Sequence, residues 1–224
     1  YGCTEVLPIS GISLKDSLRF DPDHGLPVGK KVPEIDVEII RAHDGPIVLN
    51  AGRGLDEYLA PRGEAGEIVV KGPHVLPHYL GSPEISRLNK IVNGTEIWHR
   101  TGDAGWMDQE GNIFLLGRII RRFHALGICR YPIPYEQRLR SIPGVTFSAV
   151  LEHAGLIHAI VECEKKNDAD LGRLRARMSA ILEDIKPDRC LVLGHIPRDQ
   201  RHNSKIDYEK LIRLLPNEGA TECC

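Results

Sequence analysis

The chain changes its patterning near Gly117-Arg118, and this change limits the folds open to it more than any other feature. Before it come short β-branched runs separated by Gly and Pro. Residues 35–40, residues 67–71 between Gly66 and Gly72, and residues 112–116 after the turn signal Gln109-Glu110-Gly111 read as strands. A small, partly open β-barrel or distorted sheet suits this pattern better than a helical bundle. After the change, helices and strands mix. Residues 134–142 read as a short helix with Pro in its first turn. Residues 145–151, 156–162 and 189–193 read as strands. Residues 168–185 carry Leu171, Leu174, Met178, Ile181, Leu182 and Ile185 at helical spacing, with Asn167 or Asp168 as a cap. Residues 206–215 read as a last helix. The expected class is α+β: a β-rich subdomain over 1–117, then a small α+β domain over 118–224.

Composition narrows the partners. Twenty-nine basic against thirty-one acidic residues give a net charge of −2, which asks for neither nucleic acid nor an anionic membrane. No apolar run approaches the roughly 20 residues of a membrane-spanning helix. An apolar content of 42% is too high for a wholly disordered chain. Cys3, Cys129, Cys163 and Cys190 are scattered, and no CxxC pair occurs. The expectation is reduced thiols in a cytoplasmic protein, with Cys223-Cys224 as an exposed, oxidisable pair. The chain opens at Tyr1, without an initiator Met and inside what looks like a functional motif. It is expected to be a piece of a longer protein.

Four segments carry chemistry. Tyr1-Gly2-Cys3-Thr4-Glu5 offers a ring to stack, a hydroxyl for a phosphate and a carboxylate for Mg²⁺. Alone, it also reads as a strand-turn-helix start with Thr4 as cap. Trp98 to Trp106 holds Asp103 after Gly102, suited to accept ribose hydroxyls; alone, it reads as a turn with a capping Asp. Gly117-Arg118 follows a strand and could contact ribose or phosphate, or be a surface arginine. Residues 197–207 form a polar, basic loop ending near Lys205, a point charge for a phosphate or simply a solvated loop. His74 and His78 are four apart, but Pro77 spoils the helical face that a zinc pair needs.

Together and in this order, these segments resemble the C-terminal part of the adenylate-forming, AMP-binding superfamily. Its members include acyl-CoA synthetases, peptide synthetase adenylation domains and luciferases. Tyr1 to Glu5 is similar to its YGxTE motif. Gly66 to Pro73 with Tyr79 resembles GEIxxxGxxxxxGY, with His78 in place of the usual Gly. Thr101-Gly102-Asp103, Gly111 and Gly117-Arg118 resemble TGDxxxxDxxGxxxxxGR. Lys205 stands where the family has its near-terminal lysine. Two departures narrow the resemblance. At the hinge, Ile120 and Arg121 replace two acidic residues and His124 replaces a lysine. The near-terminal motif is the longer form, with Arg201-His202-Asn203-Ser204-Lys205-Ile206. With residues 88–91, Trp98-His99-Arg100 and Ile133-Pro134-Tyr135-Glu136, this resembles the β-lactone synthetases of bacterial olefin biosynthesis.

The resemblance implies roles. Tyr1 would stack on adenine, with Gly2 beside it in the nucleotide site. Thr4 would bond the α-phosphate and Glu5 would hold Mg²⁺. Asp103 would take both ribose hydroxyls beside Arg118, and Lys205 would reach the α-phosphate and the substrate carboxylate. ATP and a small-molecule carboxylic acid are the implied partners, with AMP as the nucleotide product. The expected enzyme activates a long-chain, 3-hydroxy fatty acid as acyl-AMP and closes a β-lactone. A fatty acyl-CoA ligase using coenzyme A is the alternative, and a non-catalytic relict or partner-binding module is the second. A complex with pathway enzymes is left open. The family's phosphate loop lies upstream of YGxTE, so the 224 residues alone are expected to be inactive.

Overall fold

A computed structural model of the chain describes residues 1–49, 54–163, 168–199 and 205–216. They fall into two compact units, Tyr1–Arg122 with Cys129–Pro134, and Phe123–Ile128 with Tyr135–Cys224.

The first unit is built on a seven-stranded antiparallel sheet. Its strands are β1 (Ser10–Gly11), β2 (Leu26–Lys31), β3 (Asp36–Ile40), β4 (Gly66–Lys71), β5 (Lys90–Asn93), β6 (Glu96–Met107) and β7 (Asn112–Arg118). They run in the order β1-β2-β7-β6-β4-β3, and β5 pairs with β6 off that path. Two short helices, α1 (Leu14–Ser17) and α2 (Pro83–Asn89), sit in the connections. The strands expected at 35–40, 67–71 and 112–116 are β3, β4 and β7. Successive side chains of β4 face opposite ways. Ile68 and Val70 join Val37, Ile39 and Ile113 in one core, while Val69 joins Ile40, Ile91 and Trp98 in another.

Two local readings are corrected. Residues 98–106 form no turn with a capping Asp but the body of the 12-residue β6. Gly102 adopts φ +70°, and the register with β7 shifts between Ala104 and Gly105. These features bend the strand without ending it. Its first half pairs with β5 (Lys90 opposite His99) and its second half with β7 (Asp103 opposite Arg118). Residues 1–5 do not start a helix either. Cys3 and Val6 exchange backbone hydrogen bonds of 3.0 and 3.1 Å, closing a tight turn with Thr4 and Glu5 at its corner.

The bend of β6 rests on a buried ion pair. Arg100 donates to Glu67 Oε2 from Nε at 3.0 Å and from Nη2 at 2.6 Å, and both residues are buried. Its remaining donors satisfy the carbonyls of His43, Gly45 and Leu88. The other oxygen of Glu67 accepts the Gly102 N–H at 3.2 Å.

The second unit holds a three-stranded sheet, and the segment leading into it carries the two-stranded pair β8 (Phe123–Ala125) and β9 (Ile128–Arg130). Next come α3 (Pro132–Arg140), β10 (Val145–His153), β11 (Leu156–Cys163), α4 (Asp168–Ile181), β12 (Arg189–Leu193) and α5 (Tyr208–Arg213). β10 and β11 are antiparallel, and β11 and β12 are parallel, with α4 in the crossover between them. Val150, Ala159 and Val161 pack with Leu139, Leu174, Met178 and Leu182 on one face. Ala149, Leu151 and Ile160 pack with Leu211 and Leu215 on the other. Helices cover both faces, which explains the nearly continuous apolar runs of β10 and β11. α3 begins two residues earlier than expected and α4 stops at Ile181, with turns carrying the chain to Ile185. Asn167, Cys223 and Cys224 lie outside the described residues.

Glu136 is enclosed in this second core. Its Oε1 accepts the Val150 N–H at 3.1 Å, while burial pushes its carboxyl pKa up to about 7. The folded state therefore keeps a proton that the unfolded chain releases. The stabilisation from that proton is complete below the unfolded value near 4.5 and is lost as pH rises through about 7. Denaturant unfolding should show wild-type stability falling over this window, by at most about 1.4 kcal/mol per pH unit from this group. Glu136→Gln should remove that part of the slope; equal slopes in both proteins would sink the assignment. Glu67→Ala leaves a buried guanidinium unpaired and should cost roughly 3–5 kcal/mol in the same assay.

Candidate functional site

The turn at residues 3–6 and the bend of β6 place two clusters of polar side chains side by side in the first unit. The first centres on Asp103. Tyr1 donates its hydroxyl to Oδ2 at 2.8 Å, and Arg118 donates Nη1 to Oδ1 at 2.6 Å from the opposite position on β7. The Asp103 N–H donates to Thr101 Oγ1, which itself donates to the Ile68 carbonyl. The Tyr1 backbone is fixed by hydrogen bonds with Ser10 and Ile9. Burial, and then the Asp103 charge, push the Tyr1 phenol far above its ordinary pKa, so it stays a donor. Arg118 remains 60% exposed beyond its ion pair, so its guanidinium is open to a second anion.

The second cluster centres on Glu5. Tyr79 donates its hydroxyl to Glu5 Oε1 at 2.8 Å, and the other oxygen lies 4.0 Å from His99 Nε2. Desolvation raises the Glu5 carboxyl, but the Tyr79 hydroxyl and other hydrogen bonds outweigh it, and the pKa ends below the ordinary value. Cys3 Sγ is 3.6 Å from His99 Nε2, and His99 Nδ1 lies 3.2 Å from the Asn89 carbonyl. A carbonyl only accepts, so Nδ1 carries the proton and Nε2 presents its lone pair to Cys3 and Glu5. Burial, with the Lys90 ammonium nearby, lowers the His99 pKa to about 4 and keeps the ring neutral. Burial pushes the Cys3 thiol up. Lys90 is itself buried, its Nζ 5.4 Å from the centre of the Tyr79 ring.

The structure thus brings Tyr1, Glu5, Asp103 and Arg118 into one unit, with Thr4 exposed at the corner of the turn and Gly2 half-buried beside Tyr1. Lys205 belongs to the other unit, where it is exposed. Its loop is pinned at the base. Arg198 pairs with Ile206, and the Asp199 N–H donates to the Lys205 carbonyl at 2.8 Å. Arg198 Nη2 reaches both oxygens of Glu162 at 2.8 Å, and Glu162 also accepts the Ile196 N–H. Residues 200–204 lie outside the described residues. In the sequence, Tyr79 and Lys90 stand only within motif-like runs, and Glu162 only at the end of an expected strand. Tyr79 meets Glu5 across 74 positions, and Glu162 meets Ile196 and Arg198 across 34 and 36, separations that no local spacing announces.

Comparison with known protein families finds no matching family description. Individual proteins do match. The chain is 30% identical over 227 aligned positions to an olefin β-lactone synthetase of Stenotrophomonas maltophilia, covering 94% of this chain and 40% of that one. It is 32% identical to a 2-succinylbenzoate–CoA ligase of Geobacillus kaustophilus, over 70% of this chain and 32% of that one. Among solved structures, the O-succinylbenzoate coenzyme A synthetase of Bacillus subtilis with ATP and magnesium aligns with a TM-score of 0.63 and 27% identity. That match covers 88% of this chain and 38% of the other. The chain therefore spans at most 40% of the length of these relatives. By residues, fold and relatives alike, it belongs to the adenylate-forming superfamily and corresponds to the C-terminal part of its members.

Proposed function

We propose that the chain supplies the nucleotide-facing β-subdomain and the lysine-bearing domain of an ATP-dependent acyl ligase. The observation that carries this reading is the Asp103 cluster. A carboxylate fixed by a tyrosine on one side and an arginine on the other has lone pairs left for a ribose diol. Arg118 keeps donors free for a phosphate. Thr4, exposed at the corner of its turn, is the hydroxyl for the α-phosphate.

Glu5 fits a magnesium ligand. Tyr79 holds one oxygen and leaves the other, a hard donor of the kind Mg²⁺ takes. When bound, the ion supplies charge neutralisation on the polyphosphate. Lys205 adds positive charge where the acid's carboxylate meets the α-phosphorus. Oxygen bonds to phosphorus, pyrophosphate leaves, and acyl-AMP forms. Two anions must meet in that step, so positioned cations supply much of the rate. A lysine carried on its own domain lets the site assemble for one step and open for the next.

For the second step we infer attack by the substrate's own 3-hydroxyl oxygen on the acyl carbon. The hydroxyl loses its proton, AMP leaves, and a β-lactone closes. This rests on the olefin β-lactone synthetase relatives and on Ile120, Arg121 and His124 at the hinge. A coenzyme A thiol attacking the same carbon is the second reading, favoured by the CoA ligases among the relatives.

Mass spectrometry of the products of a longer form of the chain that carries the family's phosphate loop separates the two. ATP, Mg²⁺, a long-chain 3-hydroxy acid and coenzyme A should yield lactone and AMP with the thiol unconsumed. A thioester would instead make the protein a CoA ligase, and absence of any adenylate would favour a relict. In the same protein, Lys205→Ala should slow ATP–pyrophosphate exchange by at least about a hundredfold with the thermal melt unchanged. Exchange at the wild-type rate would remove Lys205 from the chemistry. The 224 residues alone should show no exchange.

A further inference from the structure

Cys3, Glu5 and His99 offer a donor set that magnesium does not call for. One sulfur, one ring nitrogen and one carboxylate oxygen lie within 4.8 Å of one another. Among the described residues no other group of three His, Cys, Asp or Glu side chains does so. We propose that these three residues form a binding site for a thiophilic divalent cation of the zinc class, sharing Glu5 with the nucleotide site.

Four observations carry the proposal. The Sγ–Nε2 separation is 3.6 Å. Zn–S and Zn–N bonds of about 2.3 and 2.05 Å at a tetrahedral angle put those two atoms about 3.6 Å apart. The ring is already in the ligating tautomer, its Nδ1–H held by the Asn89 carbonyl, the second contact that metal-binding histidines characteristically make. The Glu5 oxygen is 4.0 Å from Nε2 and must close by roughly 0.7 Å, a pivot about its other oxygen's bond to Tyr79. Finally, sulfur with imidazole nitrogen selects zinc-like ions over magnesium or calcium, which take oxygen.

Three protein ligands leave a fourth position for water or a phosphate oxygen. On binding, the Cys3 thiol gives its proton to solvent, so thiolate and Glu5 carboxylate face the dication. Lys90 is the opposing charge in the cluster, with Tyr79 and Tyr1 neutral and Asp103 paired to Arg118. An ion held here withdraws Glu5 from the nucleotide. Zinc should therefore inhibit adenylate formation in competition with Mg·ATP, a consequence that rests on the proposed function.

The binding test does not. Co²⁺ is titrated into the reduced chain carrying Cys223→Ser and Cys224→Ser, which removes the vicinal thiols. One equivalent should give a thiolate-to-cobalt charge-transfer band and d–d bands of tetrahedral strength, displaced by Zn²⁺. Adding Cys3→Ser should abolish the charge-transfer band. His99→Gln should weaken binding at least tenfold, with the melt of each variant checked first. Cobalt bands of undiminished strength in Cys3→Ser overturn the proposal, as does absence of any tetrahedral spectrum in the parent. If the bands appear as stated but zinc leaves ATP–pyrophosphate exchange untouched in the longer protein, the metal site stands and the magnesium role of Glu5 falls.

Discussion

The buried pair of Glu67 and Arg100 is the constraint on which the first unit depends. A guanidinium with this little exposure survives only with its donors satisfied. Arg100 meets that demand by gathering a carboxylate and three carbonyls from separate stretches of chain. The second oxygen of Glu67 then takes the N–H of Gly102, where β6 turns through positive φ. The ion pair and the bend are one device. Two residues after Arg100 the strand changes partner from β5 to β7, and Asp103 emerges beside Arg118. The stabilising pair and the candidate ribose carboxylate are three residues apart for this reason.

Lys205 is handled by a smaller version of the same logic. Its side chain is exposed and its loop is polar, so packing alone cannot place it. Glu162, near the end of β11, receives Arg198 on both oxygens and the Ile196 N–H. Desolvation raises its pKa, but these bonds outweigh it and the group ends below its ordinary value, so it holds Arg198 as a charged partner. Arg198 also lies over the Phe147 ring, 4.4 Å from its centre. The root of the loop is thus tied to the sheet while its lysine stays free to meet an anion.

Much of this was legible in the residues. β3, β4 and β7 announce themselves by β-branched runs between glycines, and α4 by its period. What escaped was β6, because Thr-Gly-Asp is turn chemistry in isolation. Nothing local shows that Glu67 and Arg100 hold the glycine inside a strand. The candidate site divides the same way. Tyr1, Glu5, Asp103 and Arg118 could be named from motif order. Tyr79 and Lys90 beside Glu5, and His99 against Cys3, exist only after β5, β6 and the first turn have met.

The two tyrosines show what the site is built to keep. Each donates to a carboxylate, Tyr1 to Asp103 and Tyr79 to Glu5, and each is pushed far above its ordinary pKa. A phenol in that condition orients an oxygen without cancelling its charge. Had lysines taken these places, each carboxylate would have been neutralised and its affinity for a hydroxyl or a cation reduced. The one arginine in direct contact, Arg118, is largely exposed, where an ion pair is weak and easily shared. Negative charge is thus held in place at Glu5 and Asp103. That is the condition a sugar diol and a divalent cation both require.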